Sequence, residues 1–376
     1  MTVLPSQPRG RRPALLLAAL LITPLTACRA AEPPSQRQPQ TGAGGAVVAA
    51  RPLPQLPTDP ALPRLADGRH YPLLPADPAA LAALLVAVEQ ALRDPATPAA
   101  AQPALGHQQQ VIYRVLARES GRAEQVAALL QPPWRRVLKL HLSARRAFLA
   151  MARRRRPATS LPAWRIIPPR PPEQLLAWYR DAAKATGIAW QVLAAVNLVE
   201  SGMGRIDGVS VAGARGPMQV LPTTWAEAGI GRGADIRDPR AAIHAAARYL
   251  VRRGGLRDIR RGLWGYNNSD DYGRAVLAYA ELLRADPAAY TGLYHWEIHV
   301  ATARGDVWLP LGYSQTQPIA VDAWLSGMPA AAPPLPAAVP TAAVPAAAGP
   351  AALSPAASAS GRDRPAAGGT PSGPID

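Results

Sequence analysis

A chain of 376 residues is long enough for two or three domains, but its 43 prolines and its Ala-rich ends indicate that much of it lies outside a packed core. The formal net charge is +16, and all but two of the 41 basic residues are Arg. This charge favours anionic partners. The chain has neither paired Cys/His spacing nor a basic helix interleaved with aromatic residues, which argues against a nucleic-acid-binding module.

The N-terminal residues have the pattern of an export signal. Several Arg residues precede an apolar run from Ala14 to Ile22, which is too short to span a bilayer but has the length of a signal-peptide core. The run leads to Leu25-Thr26-Ala27-Cys28, which contains the only cysteine. This segment resembles a bacterial lipobox and implies cleavage before a lipidated Cys28, with ordinary secretion as the alternative. We predict an exported protein, lipid-anchored on the outer face of the cytoplasmic membrane or in the cell envelope.

Composition separates the segments that pack from those that do not. After the signal peptide of residues 1–27, residues 28–72 are rich in Pro, Gln, Gly and Ala and are predicted to be a flexible linker. Residues 158–172 are again Pro-rich and mark a domain boundary. Residues 330–376 contain mainly Ala, Pro, Ser and Gly, and we predict a disordered tail.

Helical periodicity begins in the block of residues 73–157. Asp77-Pro78 is a good helix start, and apolar residues follow at helix spacing. Later helices are predicted over about 104–118 and 133–151. The block ends in the basic run Arg153-Arg154-Arg155-Arg156, which is more typical of a solvated helix end than of a binding patch.

Two further helices lead to an acidic residue beside an apolar face. The first is predicted from Glu173 to about Thr186, where Gly187 ends it, and the second from about Ala189 to Glu200. Apolar residues precede Glu200 at spacings of three and four, so its carboxyl group lies at the edge of the apolar face, where burial raises its pKa. Such a group can serve as a general acid at neutral pH. On position alone, however, a Glu at a helix end more often caps the helix or forms an ion pair than acts in catalysis.

The loop after this helix contains residues suited to a glycan ligand. Gly216 permits a tight turn and close approach of the backbone. Met218 offers a flexible apolar surface for a sugar face, and Gln219 can both donate and accept hydrogen bonds. Thr224 and Glu227 have the spacing of a capping box and predict the start of another helix.

Three short motifs follow one another in the chain. They are Glu200-Ser201, Gly216-Pro217-Met218-Gln219 and Tyr266-Asn267, the last lying in a loop after a helix that opens at Asp238-Pro239. In this order they resemble the catalytic domain of lytic transglycosylases (the SLT, or murein transglycosylase, family), over residues 173–290. The variants of actinobacteria and of the membrane-bound B type are the most similar. The resemblance implies a mainly α fold, with a lysozyme-like catalytic domain after the helical block.

The resemblance also implies a reaction. Lytic transglycosylases cleave the MurNAc-β-1,4-GlcNAc bond of peptidoglycan without water and need no metal or cofactor. The resemblance implies that Glu200 is the acid/base and that Tyr266 assists by hydrogen-bonding Glu200 or the substrate acetamido group. The implied substrate-binding residues are Ser201, Gly216, Met218, Gln219 and Asn267. The expected partners are peptidoglycan glycan strands, and the membrane through the lipid anchor, with no nucleic acid.

Two departures from the family pattern bear on the sugar subsites. Met203 stands where many relatives have an aromatic residue, and Asn268-Ser269 replaces the commoner Ala-Gly. A hydrolytic muramidase on the same fold is an alternative, with Asp207 or Asp235 as the second carboxylate, whereas Asp238 is more simply a helix N-cap. A non-catalytic glycan-binding lipoprotein is the other alternative.

The C-terminal extension over residues 291–329 contains a possible metal-binding pattern. His295, Glu297 and His299 alternate, so a strand would carry all three on one face. We predict instead a solvated β-hairpin near residues 294–311, because a zinc site would need a further ligand or a water. Its turn is expected at Arg304-Gly305-Asp306, with the return strand from Val307 to Leu311.

Overall fold

The computed structural model describes residues 52–152 and 156–334. This part of the chain is mainly α, as predicted. The α-helices are α1 Pro78–Arg93, α2 Gln102–Arg118, α3 Ser120–Leu129, α4 Pro132–Ala152, α5 Pro172–Thr186, α6 Trp190–Ser201, α7 Pro222–Ala226, α8 Pro239–Arg252, α9 Ile259–Tyr266, α10 Asp270–Ala285, α11 Tyr290–Tyr294 and α12 Val321–Gly327. The strands are β1 Ser160–Leu161, β2 Arg165–Ile166, β3 Ile206–Asp207, β4 Ile298–Thr302, β5 Gly305–Leu309 and β6 Ile319–Ala320.

Side-chain caps fix the start of several helices. Asp77 Oδ2 accepts a hydrogen bond from the Ala80 amide at 2.9 Å, and Asp238 Oδ1 accepts one from the Ala241 amide at 2.7 Å. These caps confirm the helix starts predicted there, since each satisfies an amide that has no partner within the helix. Gly187 ends α5 with φ +81°, also as predicted.

The capping box predicted at Thr224 and Glu227 is wrong. The short helix α7 starts at Pro222, two residues before Thr224, because proline at the first position is already set for helical φ. Glu227 follows the end of this helix, and its carboxylate pairs instead with Arg252 at 2.9 Å and Arg253 at 3.4 Å.

One hydrophobic cluster joins the two helical segments that the sequence analysis separated. It includes buried residues of α1, α2 and α4, and equally those of α5, α6, α8 and α10. Helix α10 packs along both α4 and α6. The helices over residues 78–152 therefore support the helix that carries Glu200. The bounds of the two domains stay a prediction.

The packed part of the chain also reaches into the predicted linker and tail. Tyr71 is buried, and Arg69 forms an ion pair of 2.8 Å with Glu297. At the other end, Ala330 and Ala331 are buried. The inner ends of residues 28–72 and 330–376 thus contribute side chains to the fold, whereas Cys28 and the predicted signal peptide lie outside the described residues.

The predicted hairpin exists, but it is packed rather than solvated. Strands β4 and β5 pair antiparallel from Ile298 opposite Leu309 to Thr302 opposite Gly305. Val307, Trp308 and Leu309 are fully buried, because β5 packs against segments far away in the sequence.

His295, Glu297 and His299 do not share a strand face, because only His299 lies in β4. His295 follows α11, Glu297 pairs with Arg69, and the Nε2 atom of buried His299 lies 3.2 Å from Nε2 of His107. Across residues 52–152 and 156–334, no group of three or more His, Cys, Asp and Glu residues could hold a metal ion. No helix within these ranges is long and apolar enough to cross a membrane.

Candidate active site

Glu200 lies in the last turn of α6, a helix buried from Val192 to Ser201. Only 5% of Glu200 is exposed, so it lies deeper than the edge of the apolar face that the sequence predicts. Burial disfavours the charged carboxylate and raises the pKa of Glu200 to about 8. The group is therefore mostly protonated at neutral pH, which is the state that a general acid needs.

The hydrogen-bond partner of Glu200 is Tyr272, not Tyr266. The Tyr272 hydroxyl donates to Glu200 Oε1 at 2.6 Å, and this bond lowers the pKa of Glu200 against the larger effect of burial. Tyr272 lies in the first turn of α10, where the Ser269 hydroxyl accepts from the Tyr272 amide at 3.3 Å. Sequence reasoning missed Tyr272. The available signal was an aromatic residue three places after a helix-capping Ser.

Tyr266 holds the neighbouring turn. Its hydroxyl donates to the carbonyl oxygen of Met218 at 2.6 Å, and its ring stacks parallel to that of Tyr272, with the ring centroids 6.3 Å apart. The expected hydrogen bond from Tyr266 to Glu200 is therefore wrong for this structure. Tyr266 acts on the site through the backbone of Met218 and through its contact with the ring of Tyr272.

Ser201 is a structural residue of the site. It is fully buried, its hydroxyl donates to the carbonyl oxygen of Pro217, and it accepts from the Gly204 amide at 3.0 Å. The Asn197 side chain donates to the same Pro217 oxygen at 2.7 Å. Ser201 thus ties the end of α6 to the turn of residues 216–219. Its predicted contact with substrate does not fit this burial.

The turn of residues 216–219 depends on glycine. Gly216 has φ +72°, and a Cβ atom there would lie 2.1 Å from the carbonyl oxygen of Ile236. Its own carbonyl oxygen accepts from both the amide and Nε2 of Gln219, each at 3.0 Å. Gln219, with φ +44°, is 9% exposed, so much of its side chain is used within the turn.

Two other predicted binding residues face inward. Met218 is fully buried in the main hydrophobic cluster, so it does not offer the surface for a sugar that the sequence predicts. Asn267 is 7% exposed and caps the C-terminal end of α9, where its backbone amide donates to the Leu263 carbonyl at 3.0 Å. The departure at Met203 also lies in the core, since Met203 is 1% exposed and its Sδ accepts from the Tyr179 hydroxyl at 3.5 Å.

The carboxylates considered as a second catalytic group have local roles. Asp207 pairs with Arg165, Asp235 Oδ1 accepts from the Arg237 amide at 2.9 Å, and Asp238 caps α8. Of these carboxylates and Glu200, only Glu200 is buried, since Asp207 is half-buried and Asp235 and Asp238 are exposed. The site is therefore built around a single buried acid.

The fold and this site define a helical domain of the lysozyme-like class in which one buried acid, Glu200, forms the centre of the site. Residues 178–281 match the family model of the transglycosylase SLT domain. This segment spans most of α5 and all of α6 to α9, and it includes Glu200, the turn of residues 216–219 and Tyr266. These residues therefore form a transglycosylase SLT domain, as the sequence motifs predict, and this supports action on peptidoglycan. No curated protein and no solved structure matches the chain.

Proposed function

We propose that the protein is a lytic transglycosylase that cleaves the MurNAc-β-1,4-GlcNAc bond of peptidoglycan without water and leaves 1,6-anhydromuramyl ends. The observation that carries this proposal is that Glu200 is buried, with its pKa raised to about 8, whereas the other candidate carboxylates, Asp207, Asp235 and Asp238, are less buried and have local partners. Most glycosidases that use water as the nucleophile pair an acid with a second carboxylate. A reaction in which the substrate supplies the nucleophile needs only one.

The reaction uses Glu200 twice. Protonated Glu200 donates its proton to the glycosidic oxygen, the C1–O bond breaks, and the substrate's own acetamido group stabilises the positive charge at C1. The Glu200 carboxylate then takes the proton from the C6 hydroxyl as that oxygen bonds to C1. The proton lost in the first step is regained in the second, so the enzyme returns to its starting state.

Tyr272 supports the first of these steps, in which Glu200 gives up its proton. Its hydroxyl lies 2.6 Å from Glu200 Oε1, and a hydrogen bond to a carboxylate is stronger than one to a neutral acid. The bond therefore gains strength when Glu200 has given up its proton. Tyr266 is a positioning residue, because it holds the Met218 carbonyl and through it the turn of residues 216–219.

Mass spectrometry of digested peptidoglycan tests the reaction class. Anhydro ends are lighter by one water than the reducing ends that a hydrolase leaves. We expect anhydro ends from the wild type and a loss of product on the order of 10⁴-fold in Glu200→Gln, because one residue serves as both acid and base. Tyr266→Phe should reduce the rate less, since it removes a hydrogen bond but not the proton carrier.

Two outcomes favour the alternatives. Reducing ends as the main product would identify a muramidase and direct attention to Asp207 or Asp235 as the second carboxylate. Binding of glycan without cleavage by the wild type would identify a non-catalytic glycan-binding protein. Export and a lipid anchor on Cys28 are proposed in addition, on the basis of the N-terminal sequence alone.

A further inference from the structure

An open groove of about 650 Å³ lies along the β2–β3 pair. Three separate stretches of chain line it, residues 163–165, 207–209 and 315–316, together with Arg237. The volume is within the usual range of small-molecule sites, roughly 300–1,000 Å³. Residues 163–165 and 315–316 lie outside the segment that matches the SLT domain, so parts of the chain on both sides of that domain build the groove.

Backbone hydrogen bonds hold these stretches together. Strand β2 pairs with β3, with Arg165 opposite Asp207 and Ile166 opposite Ile206. On the other side of β2, the Gln315 amide donates to the Trp164 carbonyl at 2.9 Å. The groove is therefore preformed by a sheet-like arrangement, which lowers the entropic cost of binding a ligand.

Trp164 forms an apolar platform in the groove. Its indole Nε1 donates to the Val209 carbonyl at 3.3 Å. A Cβ atom on Gly208 would lie 2.1 Å from Cδ1 of Trp164, so the indole rests directly on the Gly208 backbone. Only glycine leaves space for this packing, and the half-buried ring stays fixed while it lines the groove.

Polar side chains surround this platform. Arg165 and Asp207 form an ion pair, in which the Arg165 side chain is 63% exposed, and Gln315 and Arg237 also line the groove. An aromatic face suits the apolar side of a pyranose ring, while guanidinium, carboxylate and amide groups suit its hydroxyl and N-acetyl groups. This combination is typical of a saccharide site rather than of a purely apolar docking surface.

Short segments connect the groove to the proposed catalytic residues. Strand β3 begins six residues after Glu200, and Arg237 follows Ile236, whose carbonyl contacts the turn at Gly216. We propose that the groove is an additional saccharide subsite that binds N-acetylated sugars of the glycan strand beyond the two joined by the scissile bond. This inference rests on the proposed function for its substrate class. It implies that long strands bind better than disaccharides.

Calorimetric titration with N-acetylglucosamine oligosaccharides tests the subsite in the full chain carrying Glu200→Gln, which prevents cleavage. Adding Trp164→Ala should weaken binding of the hexamer by about tenfold, as is common when a central aromatic contact is removed, and change binding of the dimer by less than about twofold. Gln315→Ala should weaken hexamer binding about threefold, because it removes polar contacts but keeps the backbone bond to Trp164. Trp134→Ala, which removes a half-buried tryptophan of α4 that contacts Arg93, is the control and should change neither affinity.

Melting curves show whether each variant folds. Hexamer binding at the wild-type level in folded Trp164→Ala and Gln315→Ala would overturn the proposal, as would an equal loss for dimer and hexamer or no binding by the parent protein. The proposed reaction can fail separately. If the wild type cleaves no glycan but Trp164→Ala still loses affinity for the hexamer alone, the subsite stands and the catalytic proposal does not.

Discussion

The hydroxyl of Tyr272 donates a hydrogen bond of 2.6 Å to Glu200 Oε1, across 72 positions of the sequence. The bond exists because α10 packs along α6 and brings the first turn of one helix to the last turn of the other. Two effects then oppose each other, since burial favours the neutral acid and the hydrogen bond favours the carboxylate. Their balance leaves the pKa of Glu200 at about 8. A group whose pKa lies near the working pH can both donate and accept a proton.

Tyr272→Phe should change the pH dependence of cleavage. The wild type should lose activity as pH rises through about 8, because Glu200 then starts the reaction already ionised. Without the hydrogen bond the acid holds its proton more tightly, so this alkaline limit should move upward by about one pH unit and the maximal rate should fall about tenfold.

The measurement is kcat/KM against pH, with anhydro product as the readout. Tyr290→Phe is a suitable control, because its hydroxyl donates to the Pro172 carbonyl and does not contact Glu200. An unchanged alkaline limit in Tyr272→Phe would show that the hydrogen bond does not affect the working acid.

Glu200→Gln should stabilise the protein near neutral pH while it abolishes cleavage. The folded-state pKa of about 8 lies above the ordinary value of 4.5, so the fold favours the protonated form. The stability that this provides is complete below pH 4.5 and is lost as pH rises toward 8. The neutral amide of Gln does not ionise and so does not lose this stability. We therefore expect the free energy of unfolding of Glu200→Gln to exceed that of the wild type by about 1–3 kcal/mol at pH 7.5 and to differ little at pH 4.5. Thermal unfolding of both proteins at the two pH values measures this difference. A gain of the same size at both would indicate better packing rather than relief of a buried charge.

The turn of residues 216–219 should tolerate no side chain at Gly216. Gly216→Ala would combine positive φ with a Cβ atom 2.1 Å from the Ile236 carbonyl oxygen. We expect the free energy of unfolding to fall by at least about 2 kcal/mol and cleavage to be strongly reduced. Gly213 is the matched control. It also has positive φ, +83°, but nothing lies within 4 Å of its virtual Cβ, so Gly213→Ala should cost only about 1 kcal/mol. Denaturant unfolding and product release test both variants, and equal losses would contradict the steric argument.

Cys28→Ser should release the protein from the membrane fraction. A diacylated cysteine would supply most of the membrane affinity, and serine cannot carry the thioether-linked lipid. Fractionation of cells that express the two forms measures this, together with the mass of the mature N-terminus. Processing and fractionation that remain as in the wild type would refute the lipobox interpretation.

The sequence predicts best those features that depend on neighbours along the chain. The caps at Asp77 and Asp238 and the helix end at Gly187 are local, and the structure has all three. The hydrogen bond predicted from Tyr266 to Glu200 is wrong, because Tyr266 is singled out by its motif, whereas Tyr272 reaches the acid only through helix packing.

The same reason explains the residues that face inward. Met218 and Ser201 belong to motifs associated with binding, yet both are fully buried where α6 meets the turn. The sequence predicts a solvated hairpin, because its alternating pattern cannot reveal that Arg69 and Tyr71 contact this region from far upstream in the chain. Contacts between distant segments decide which of two equally suitable faces becomes the interior.

The packing of α10 limits how this SLT domain could be exchanged between proteins. Two helical turns after Tyr272, on the same side of α10, Tyr279 lies against Phe148 and His141 of α4, which precede the matched segment. Residues 178–281 grafted alone into another chain would carry this apolar side uncovered. Any loosening of α10 would also reach Tyr272, and with it the proton affinity of Glu200. Residues 178–281 are therefore not expected to fold correctly on their own, and a functional chimaera has to include α4 as well.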